Sequence, residues 1–384
     1  MHHSLDRSWG PNAGAALPVA IEVLRRGPVS RADIGRRLSL SHASLSRLTT
    51  PLIERGIIVD IGEQSDGKVG RPSRLLDVDP ASHYFLGIKI REHEMISAVT
   101  NLRGDVVESG TSALLTSSPS NAVEIVQQFH TKFSEKWAIS GIGIGIGGSV
   151  QNQRIVKRAG FLNWQNVPLA DLIEAATQTP VLIENDIIAL CEYEDWFGSA
   201  RNDDRFAVIT LGIGTGFGFV VNGVPITDED YGIGLVGHWP MDSTGPFCHL
   251  GHRGCAASLL NSDAIARYVS EATGQETSFD GAIELAKRRH PAAERIIYDA
   301  ATGLGVLVAA ICNLIIPQRI IIAGEGVQLA RVGHKQMLDS AKSLRAAEAQ
   351  MPPIEFSTGG NVEWARGAAV LAIQSFALGK NETA

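Results

Sequence analysis

The feature that most constrains this chain is a set of apolar stretches that each run directly into a glycine-rich turn. Residues 138–148 (AISGIGIGIGG), 206–223 (FAVITLGIGTGFGFVVNG) and 319–327 (RIIIAGEGV) have this form, and 180–198 (PVLIENDIIALCEYEDWFG) predicts a strand that leads into a helix. Such units, repeated in two halves of a chain, are typical of two-lobed α/β proteins with a ligand cleft. We therefore expect residues 79–384 to form a body of this class.

The segments between these stretches fit the same class. YFLGIKI (84–90) and MISAVTN (95–101) predict the strands of a hairpin, and residues 121–137 predict an amphipathic helix. Residues 293–315 predict a long helix before the last glycine-rich strand. Strands that alternate with helices indicate a sheet covered by helices rather than an all-β fold.

Length and composition are those of an ordinary globular protein. The 384 residues are 44% apolar and 20% charged, which is enough for two or three domains. We find no run of eighteen apolar residues and no secretion signal, and we expect no membrane association. Four scattered cysteines do not form a disulfide framework. These features predict a cytoplasmic protein.

The first 78 residues carry a net charge opposite to that of the rest. They contain ten Arg and one Lys against eight acidic residues, a net charge of +3, whereas the remainder has a net charge of −10. A basic head on an acidic body is typical of a segment that binds an anion. The excess is small, so charge alone does not separate this function from ordinary surface variation.

The head begins with two predicted helices. Apolar residues at helical spacing in 17–24 predict the first, which ends at Arg26-Gly27-Pro28. Ser30 and Asp33 form a capping-box arrangement, with Asp in place of Glu, ahead of the second helix, RADIGRRL.

A third helix and a hairpin follow. Ser41 is the predicted N-cap of HASLSRLTT, and Pro51, which lacks an amide hydrogen, is expected to kink or end that helix. IIVDI (57–61) and SRLLDV (73–78) predict two strands joined by a polar turn. Three helices and a β-hairpin describe a winged helix-turn-helix, whose third helix enters a DNA major groove.

The candidate DNA contacts are short polar side chains on the third helix and cations beside it. Arg71, between Gly70 and Pro72, lies in a stiff segment suited to a narrow minor groove. A helical protein-interaction module is the alternative, and the cations of the wing favour DNA. The predicted DNA-binding residues are Arg31, His42, Ser44, Ser46, Arg47, Thr49, Lys68, Arg71 and Arg74.

Seven stretches in order carry a resemblance to a known family: the head ending in GRPS, GIGIGIGGSVQ, FLNWQNVPL, VLIEND, LGIGTGFGFVVNG, GHWPMDSTGPFCHLGHRGC and IIIAGEGV. The chain resembles the regulators of the ROK family (repressors, open reading frames and sugar kinases). The resemblance implies a winged helix-turn-helix followed by a two-lobed α/β body with the sugar-kinase/actin-like, ribonuclease H-like fold. The implied parts are a DNA-binding domain over 1–78, a small lobe over 79–187 with a C-terminal helix over 363–380, and a large lobe with a degenerate zinc motif over 188–362.

One departure from the family concerns kinase activity. Kinases of this fold hold phosphate and magnesium with an Asp-x-Gly-x-Thr loop, but GIKIREHE has Lys89 in place of the Asp and His93 in place of the Thr. Without that carboxylate no ligand for Mg²⁺ is evident, so we expect neither ATP/Mg²⁺ binding nor sugar phosphorylation. The later loop, Gly212–Gly218, suits either phosphate binding by backbone amides or a tight turn.

The resemblance also implies an effector site. Asp186 corresponds to the kinase base and Asn185 to a residue that holds sugar hydroxyls; in this chain Asp186 accepts from a ligand hydroxyl or caps the helix that follows. Leu235 and Ala257 replace two glutamates of the family's sugar-binding wall, which implies a less hydroxylated effector, an anionic one or none. The predicted effector-binding residues are Gly147, Asn163, Trp164, Asn185, Asp186 and His238.

The stretch CHLGHRGC (248–255) resembles an incomplete metal clasp. His238, Cys248 and Cys255 match the family pattern Gly-His … Cys-x-Cys-x4-Cys, while Leu250 replaces one thiol. Structural Zn²⁺ takes four tetrahedral donors, so His252, His249 or water is the candidate for the fourth. A metal-free loop shaped by its glycines is the alternative.

These features predict a transcriptional regulator, a repressor of carbohydrate-related genes that binds operator DNA as a homodimer or homotetramer. A sugar-like effector in the cleft alters lobe closure and the spacing of the heads. The alternatives are a sugar kinase that carries a DNA-binding head, and a DNA-binding protein that responds to no effector.

Overall fold

Two compact units make up the chain: Met1–Arg201 with Trp364–Ala384, here unit 1, and Asn202–Glu363, here unit 2. The computed structural model describes residues 16–377 apart from Arg55, Ile57, 65–72, 229–230 and Ile233. The predicted wing residues Lys68 and Arg71 lie outside the described residues.

The head occupies residues 16–78 of unit 1. Its elements are α1 (Leu17–Arg26), β1 (Val29–Ser30), α2 (Arg31–Arg37), α3 (His42–Glu54), β2 (Val59–Gln64) and β3 (Ser73–Asp77). The three strands form an antiparallel sheet in the order β1-β3-β2. Val23, Ile34 and Leu45 are buried, one on each of the three helices. The predicted three helices and hairpin are therefore confirmed, and β1 was not predicted.

Side-chain caps fix the starts of α2 and α3. The Ser30 hydroxyl oxygen accepts from the Asp33 amide at 3.0 Å, and the hydroxyl donates to the Asp33 carboxylate at 2.7 Å. The Ser41 hydroxyl oxygen accepts from the Ser44 amide at 3.1 Å. Both predicted N-caps are confirmed, because each satisfies an amide that has no partner inside its helix.

Pro51 does not end α3, which continues to Glu54. Of the two predicted effects of Pro51, the end of the helix at this residue is therefore wrong, and a kink stays a prediction. Pro51 is exposed and lies in the last turn of α3. Its missing amide hydrogen removes only one helical hydrogen bond, the one to the Arg47 carbonyl.

The body of unit 1 is built on a five-stranded sheet in the order β11-β7-β4-β5-β6. Its strands and helices are β4 (Tyr84–Ile90), β5 (Glu94–Asn101), β6 (Val106–Ala113), α4 (Pro119–Ser134), β7 (Ile139–Ile146), β8 (Ser149–Gln151), β9 (Ile155–Ala159), β10 (Trp164–Val167), α5 (Leu169–Thr177), β11 (Val181–Asn185), α6 (Asp186–Trp196) and the last helix of the chain, α13 (Val362–Ala372). Strands β11, β7 and β4 are parallel, whereas β4, β5 and β6 form an antiparallel meander. Helix α6, which the sequence assigned to the second lobe from residue 188, lies in unit 1.

The alternating GIGIGIGG stretch gives β7 two different faces. On one face its isoleucines pack into the hydrophobic core: Ile142, Ile144 and Ile146. On the other face the Ala368 carbonyl of α13 leaves no room for a β-carbon on Gly143, and the Ala365 carbonyl leaves none on Gly87, the register partner of Gly143 on β4. Side chains alternate between faces along a strand, so the glycines form one smooth surface on which α13 lies.

Unit 2 contains a second five-stranded sheet, in the order β14-β13-β12-β15-β16. Its elements are β12 (Arg205–Leu211), β13 (Thr215–Val221), β14 (Val224–Pro225), α7 (Ala256–Leu259), α8 (Ser262–Thr273), α9 (Phe279–Lys287), α10 (Pro291–Leu314), β15 (Arg319–Ala323), α11 (Val327–Val332), α12 (His334–Ser343) and β16 (Ile354–Phe356). Strands β12, β15 and β16 are parallel, and β13 returns antiparallel beside β12. The predicted strand–glycine loop–strand unit at 206–223 is confirmed.

Helix α10 is the central helix of unit 2 and contributes residues from Ala293 to Cys312 to its hydrophobic core. Among the described residues it alone is long and apolar enough to cross a membrane by length and composition, with a mean hydropathy of 1.6 over its most apolar 18 residues. Buried residues make up 61% of that window. Such burial is typical of a core helix.

The contact between α13 and the sheet predicts that Gly143→Ala destabilises the protein by about 2–3 kcal/mol, because the new methyl group overlaps the Ala368 carbonyl and the helix must move. Urea unfolding followed by circular dichroism measures the change. Gly160→Ala is the matched control, since no atom lies within 4 Å of the added carbon, and it leaves the free energy of unfolding unchanged. Equal stability of the two variants would contradict the packing described here.

Candidate functional site

The exposed face of α3 carries part of the predicted DNA-binding set. His42 and Arg47 are exposed, whereas Ser44 and Ser46 are half-buried. Thr50 is also exposed and lies one helical turn after Arg47, so the two share a face. The sequence reading missed Thr50, although its spacing from Arg47 was the available signal.

Three other predicted DNA-binding residues make contacts inside the head. Thr49 is 0% exposed; its hydroxyl accepts from Arg31 Nη1 at 2.7 Å and donates to the Ser46 carbonyl at 3.2 Å. This residue was predicted to face DNA, but the structure places it in the interior. Arg31 and Arg74 both lie beside Asp60, with nearest nitrogen–oxygen distances of 3.6 and 3.2 Å. DNA contacts by Arg31, Arg74 and the α3 face stay predictions.

Arginines join the head to the body within unit 1. Arg25 on α1 forms an ion pair with Asp195 on α6 at 3.0 Å, and the Asp195 side chain is only 4% exposed. Arg103 donates to the Leu24 carbonyl, and Arg201 donates to the Arg25 carbonyl at 3.1 Å. Cations at the end of a helix donate hydrogen bonds to its last carbonyl groups and interact favourably with the negative end of the helix dipole. The partners lie far apart in sequence, so no local pattern indicated this junction.

Lys89, which the family resemblance places where kinases have a carboxylate, forms an ion pair. The Lys89 ammonium binds Asp186 Oδ2 at the first residue of α6 and lies 5.1 Å from the centroid of the Trp364 ring. Lys89 is 7% exposed, whereas the side chain of His93, the other substituted residue, is 85% exposed. The buried ammonium places a positive charge at this position. A hard cation such as Mg²⁺ would need oxygen ligands there instead.

Asn185, and not Asp186, caps α6. Its side-chain oxygen accepts from the amides of Ile187 at 2.9 Å and Ile188 at 3.4 Å, while its nitrogen donates to the Gly148 carbonyl at 2.8 Å. The alternative in which Asp186 provides the cap is therefore wrong, because Asp186 is bound to Lys89. The described contacts of Asn185 are those of a helix cap, and its contact with an effector stays a prediction.

The other predicted effector residues of unit 1 differ in their surroundings. A β-carbon on Gly147 would lie 3.5 Å from Asp186 Oδ2, so these two positions adjoin. Asn163 is exposed in a left-handed conformation with φ of 56°. Trp164 is buried in the hydrophobic core and donates its indole N–H to the Ser117 carbonyl. Among them Gly147 is therefore the direct neighbour of Asp186.

In unit 2, four side chains form a group that is able to hold a metal ion. The ligand atoms of His238, Cys248, His252 and Cys255 all lie within 4.8 Å of one another. His238 Nδ1 lies 3.7 Å from the Cys248 sulfur and 3.8 Å from the Cys255 sulfur. The His249 ring centroid lies 5.7 Å from that of His238, against 4.8 Å for His252. Of the two candidate fourth donors, the structure brings His252 into the group.

Protonation in this group favours metal-binding forms. Desolvation, together with His252 and His249, lowers the pKa of His238, so its imidazole is neutral over a wider pH range. Desolvation acts to raise the pKa of Cys248, but hydrogen bonds from the Leu250 and His252 amides and from Cys255 outweigh it and lower that pKa. Neutral imidazole and thiolate are the forms that bind zinc.

The two positions that lack the family's glutamates lie near the same loop. Leu235 begins the short 3-10 turn Leu235–His238 and is 66% exposed. Ala257 is the second residue of α7, two positions after Cys255, and is half-buried. Neither side chain provides a hydrogen-bond acceptor, so the loop offers ligands no carboxylate at either place.

Comparison with known proteins shows what the chain is similar to. The model of the ROK family matches residues 85–375. The xylose repressor of Bacillus spizizenii is 26% identical over 329 residues, which cover 84% of each chain. The DNA-binding transcriptional repressor Mlc of Escherichia coli is 26% identical over 334 residues, which cover 83% of this chain and 82% of Mlc.

Solved structures share the fold. A ROK family transcriptional regulator, a homologue of E. coli Mlc, has a TM-score of 0.81 at 24% identity and covers 95% of this chain and 97% of its own. A ROK family glucokinase from Streptomyces griseus, in complex with glucose and AMPPNP, has a TM-score of 0.65 at 22% identity and covers 75% of this chain and 98% of its own. The predicted fold class is confirmed.

The buried ion pair predicts that Lys89→Met destabilises the protein by about 3 kcal/mol, because the Asp186 carboxylate loses its partner. Adding Asp186→Asn in the same chain recovers part of the loss, since no unpaired charge then remains. Urea unfolding measures both variants. Lys335→Met, which removes an exposed ion pair with Asp339, is the control and leaves stability unchanged. A Lys89→Met variant as stable as the native chain would refute the role of the pair.

Proposed function

Because this chain belongs to the ROK family, we propose that it is a DNA-binding transcriptional regulator that represses carbohydrate-related genes and does not phosphorylate sugars. Its partners are double-stranded operator DNA and a sugar-type effector. It acts in the cytoplasm as a homodimer or homotetramer. The DNA-binding head is proposed to occupy residues 1–78.

The main support for this proposal is the structure of the head, which consists of three helices and a hairpin and precedes the body. Arg47 and Thr50 lie on the exposed face of α3, the third helix, which in this fold enters the major groove. The xylose repressor and Mlc, which match more than four-fifths of the chain, are named as repressors. Both arguments favour a regulator over an enzyme.

The buried pair supports the absence of kinase activity. A kinase of this fold needs a carboxylate that holds Mg²⁺ and a free base that takes the proton of the sugar hydroxyl. Lys89 removes the first and binds Asp186, which would be the second. The fold shared with a glucokinase does not replace these groups.

The Lys89–Asp186 pair also supports a particular chemistry for the effector. The ammonium donates hydrogen bonds, the carboxylate accepts them, and the pair has little net charge. A neutral hydroxyl group fits such a pair, because it both donates and accepts. We therefore favour a neutral sugar derivative, with Gly147, Asn163, Asn185 and Asp186 as its candidate contacts in unit 1.

We also propose that His238, Cys248, His252 and Cys255 hold a structural Zn²⁺ ion. Tetrahedral bonds of about 2.3 Å to sulfur and 2.0–2.1 Å to nitrogen place these donor atoms about 3.6 Å apart. The observed sulfur–nitrogen distances of 3.7 and 3.8 Å fit that geometry. The ion would join the turn at His238 to the loop 248–255 and so stabilise the segment.

Genomic footprinting of the full-length chain tests the proposed function. We expect discrete protected duplexes beside genes of carbohydrate metabolism, and no sugar-dependent ADP release in a coupled assay with ATP and Mg²⁺. An absence of protected sites together with rapid sugar phosphorylation would overturn the proposal in favour of a kinase.

On a duplex identified in this way, Arg47→Ala weakens binding by about 1–3 kcal/mol, or roughly tenfold to a hundredfold, because a charged contact to base or phosphate is lost. Titration by fluorescence anisotropy at fixed salt measures the change. Arg295→Ala removes an exposed arginine of unit 2 and leaves affinity unchanged. Equal affinities of the two variants would remove α3 from the DNA interface.

His252→Ala lowers the zinc content of the purified protein from about one ion per chain to a small fraction, because the site loses one of four donors. His249→Ala keeps the ion, and metal analysis by plasma mass spectrometry compares the two variants. Loss of zinc from the His249 variant alone would assign the fourth ligand to the other imidazole. A native protein that holds no zinc after incubation with it would favour the metal-free loop.

A further inference from the structure

The glycine loop of unit 2 lies where an open α/β sheet binds phosphates. Parallel strands β12 and β15 are paired from Phe206 with Arg319 to Thr210 with Ala323, and their carboxyl ends share one edge of the sheet. Ligands of open α/β sheets bind beyond this edge. The loop that begins at Gly212 follows β12 directly, and backbone amides in such a loop attract anions.

A Gly-Glu-Gly turn follows the neighbouring strand β15 and packs on the end of β12. The Gly326 amide donates to the Leu211 carbonyl at 2.8 Å. Gly324 has a φ of +91°, and neither Gly324 nor Gly326 has room for a β-carbon beside Leu211. The turn is therefore held tightly against β12, and it fixes the position of Glu325.

The Glu325 carboxylate lies on the glycine loop. The Ile213 amide donates to Glu325 Oε1 at 3.4 Å, and the same carboxyl group leaves no room for a β-carbon on Gly212. The hydrogen bond is long and weak. The negative charge, however, lies directly against the backbone that a phosphate would approach, and a like charge at contact distance opposes its binding.

We infer that Glu325 is the residue that determines the specificity of this loop: its carboxylate occupies the anion position at the Ile213 amide beside Gly212 and excludes the phosphates of a nucleoside triphosphate. The inference rests on the proposed function and deepens it. It concerns a residue of unit 2 and does not involve Lys89, so the two can be tested separately. The glycine loop holds a carboxylate of its own chain.

Nucleotide titration of the full-length protein tests this assignment. The native chain gives no saturable heat with millimolar ATP or inorganic pyrophosphate in isothermal titration calorimetry. Glu325→Ala and Glu325→Gln bind both probes about tenfold or more tightly than the native chain, because the repulsive charge is removed. Glu348→Ala, which removes an exposed carboxylate elsewhere in unit 2, binds no better than the native chain.

The outcomes distinguish a failure of the Glu325 assignment from a failure of the proposed function. If the native chain binds ATP as tightly as the Glu325 variants, or if folded Glu325→Gln protein gains nothing over the Glu348 control, the assignment of Glu325 is overturned. The glutamine keeps the size of the side chain, so it tests the charge even if the alanine variant unfolds. Sugar phosphorylation by the native chain would instead overturn the proposed function, and DNA binding by the variants shows that the head remains intact.

Discussion

Unit 1 depends on one close contact, between the glycine face of two strands and the last helix of the chain. Gly87 and Gly143 are register partners, and the carbonyls of Ala365 and Ala368 lie where their β-carbons would be. A helix lies this close to a sheet only over residues without side chains, since protein interiors are close-packed. The contact places Trp364, at the start of this segment, beside the Lys89 ammonium.

The same face carries the charged pair of Lys89 and Asp186. Lys89 follows Gly87 by two residues on β4, and Asp186 follows β11 at the edge of the sheet. The lysine at this place gives the Asp186 carboxylate a buried cationic partner. A shared fold therefore does not carry a shared chemistry, because chemistry depends on single side chains at the ends of strands.

Helix α6 has a role at each of its ends. Its first residue, Asp186, belongs to the charged pair, and Asp195 in its last turn binds Arg25 of the head. The junction is completed by arginines that donate to the Leu24 and Arg25 carbonyls at the end of α1, where carbonyls have no amide partner inside the helix. One rigid element thus connects the surroundings of Asp186 with the attachment of the head.

Local patterns in the sequence determined the class of fold, most strands and helices, and the caps at Ser30 and Ser41. The family resemblance implied three of the four candidate metal donors and left His252, His249 or water as the fourth. These features depend on residues within a few positions of one another, where spacing and residue type suffice. Only the tertiary structure decided the rest: that Thr49 and Trp164 are interior, that Asn185 caps a helix, that His252 completes the metal group, and that Glu325 lies on the glycine loop. Burial and hydrogen-bond partners come from chain segments distant in sequence, and no local pattern records which of them meet.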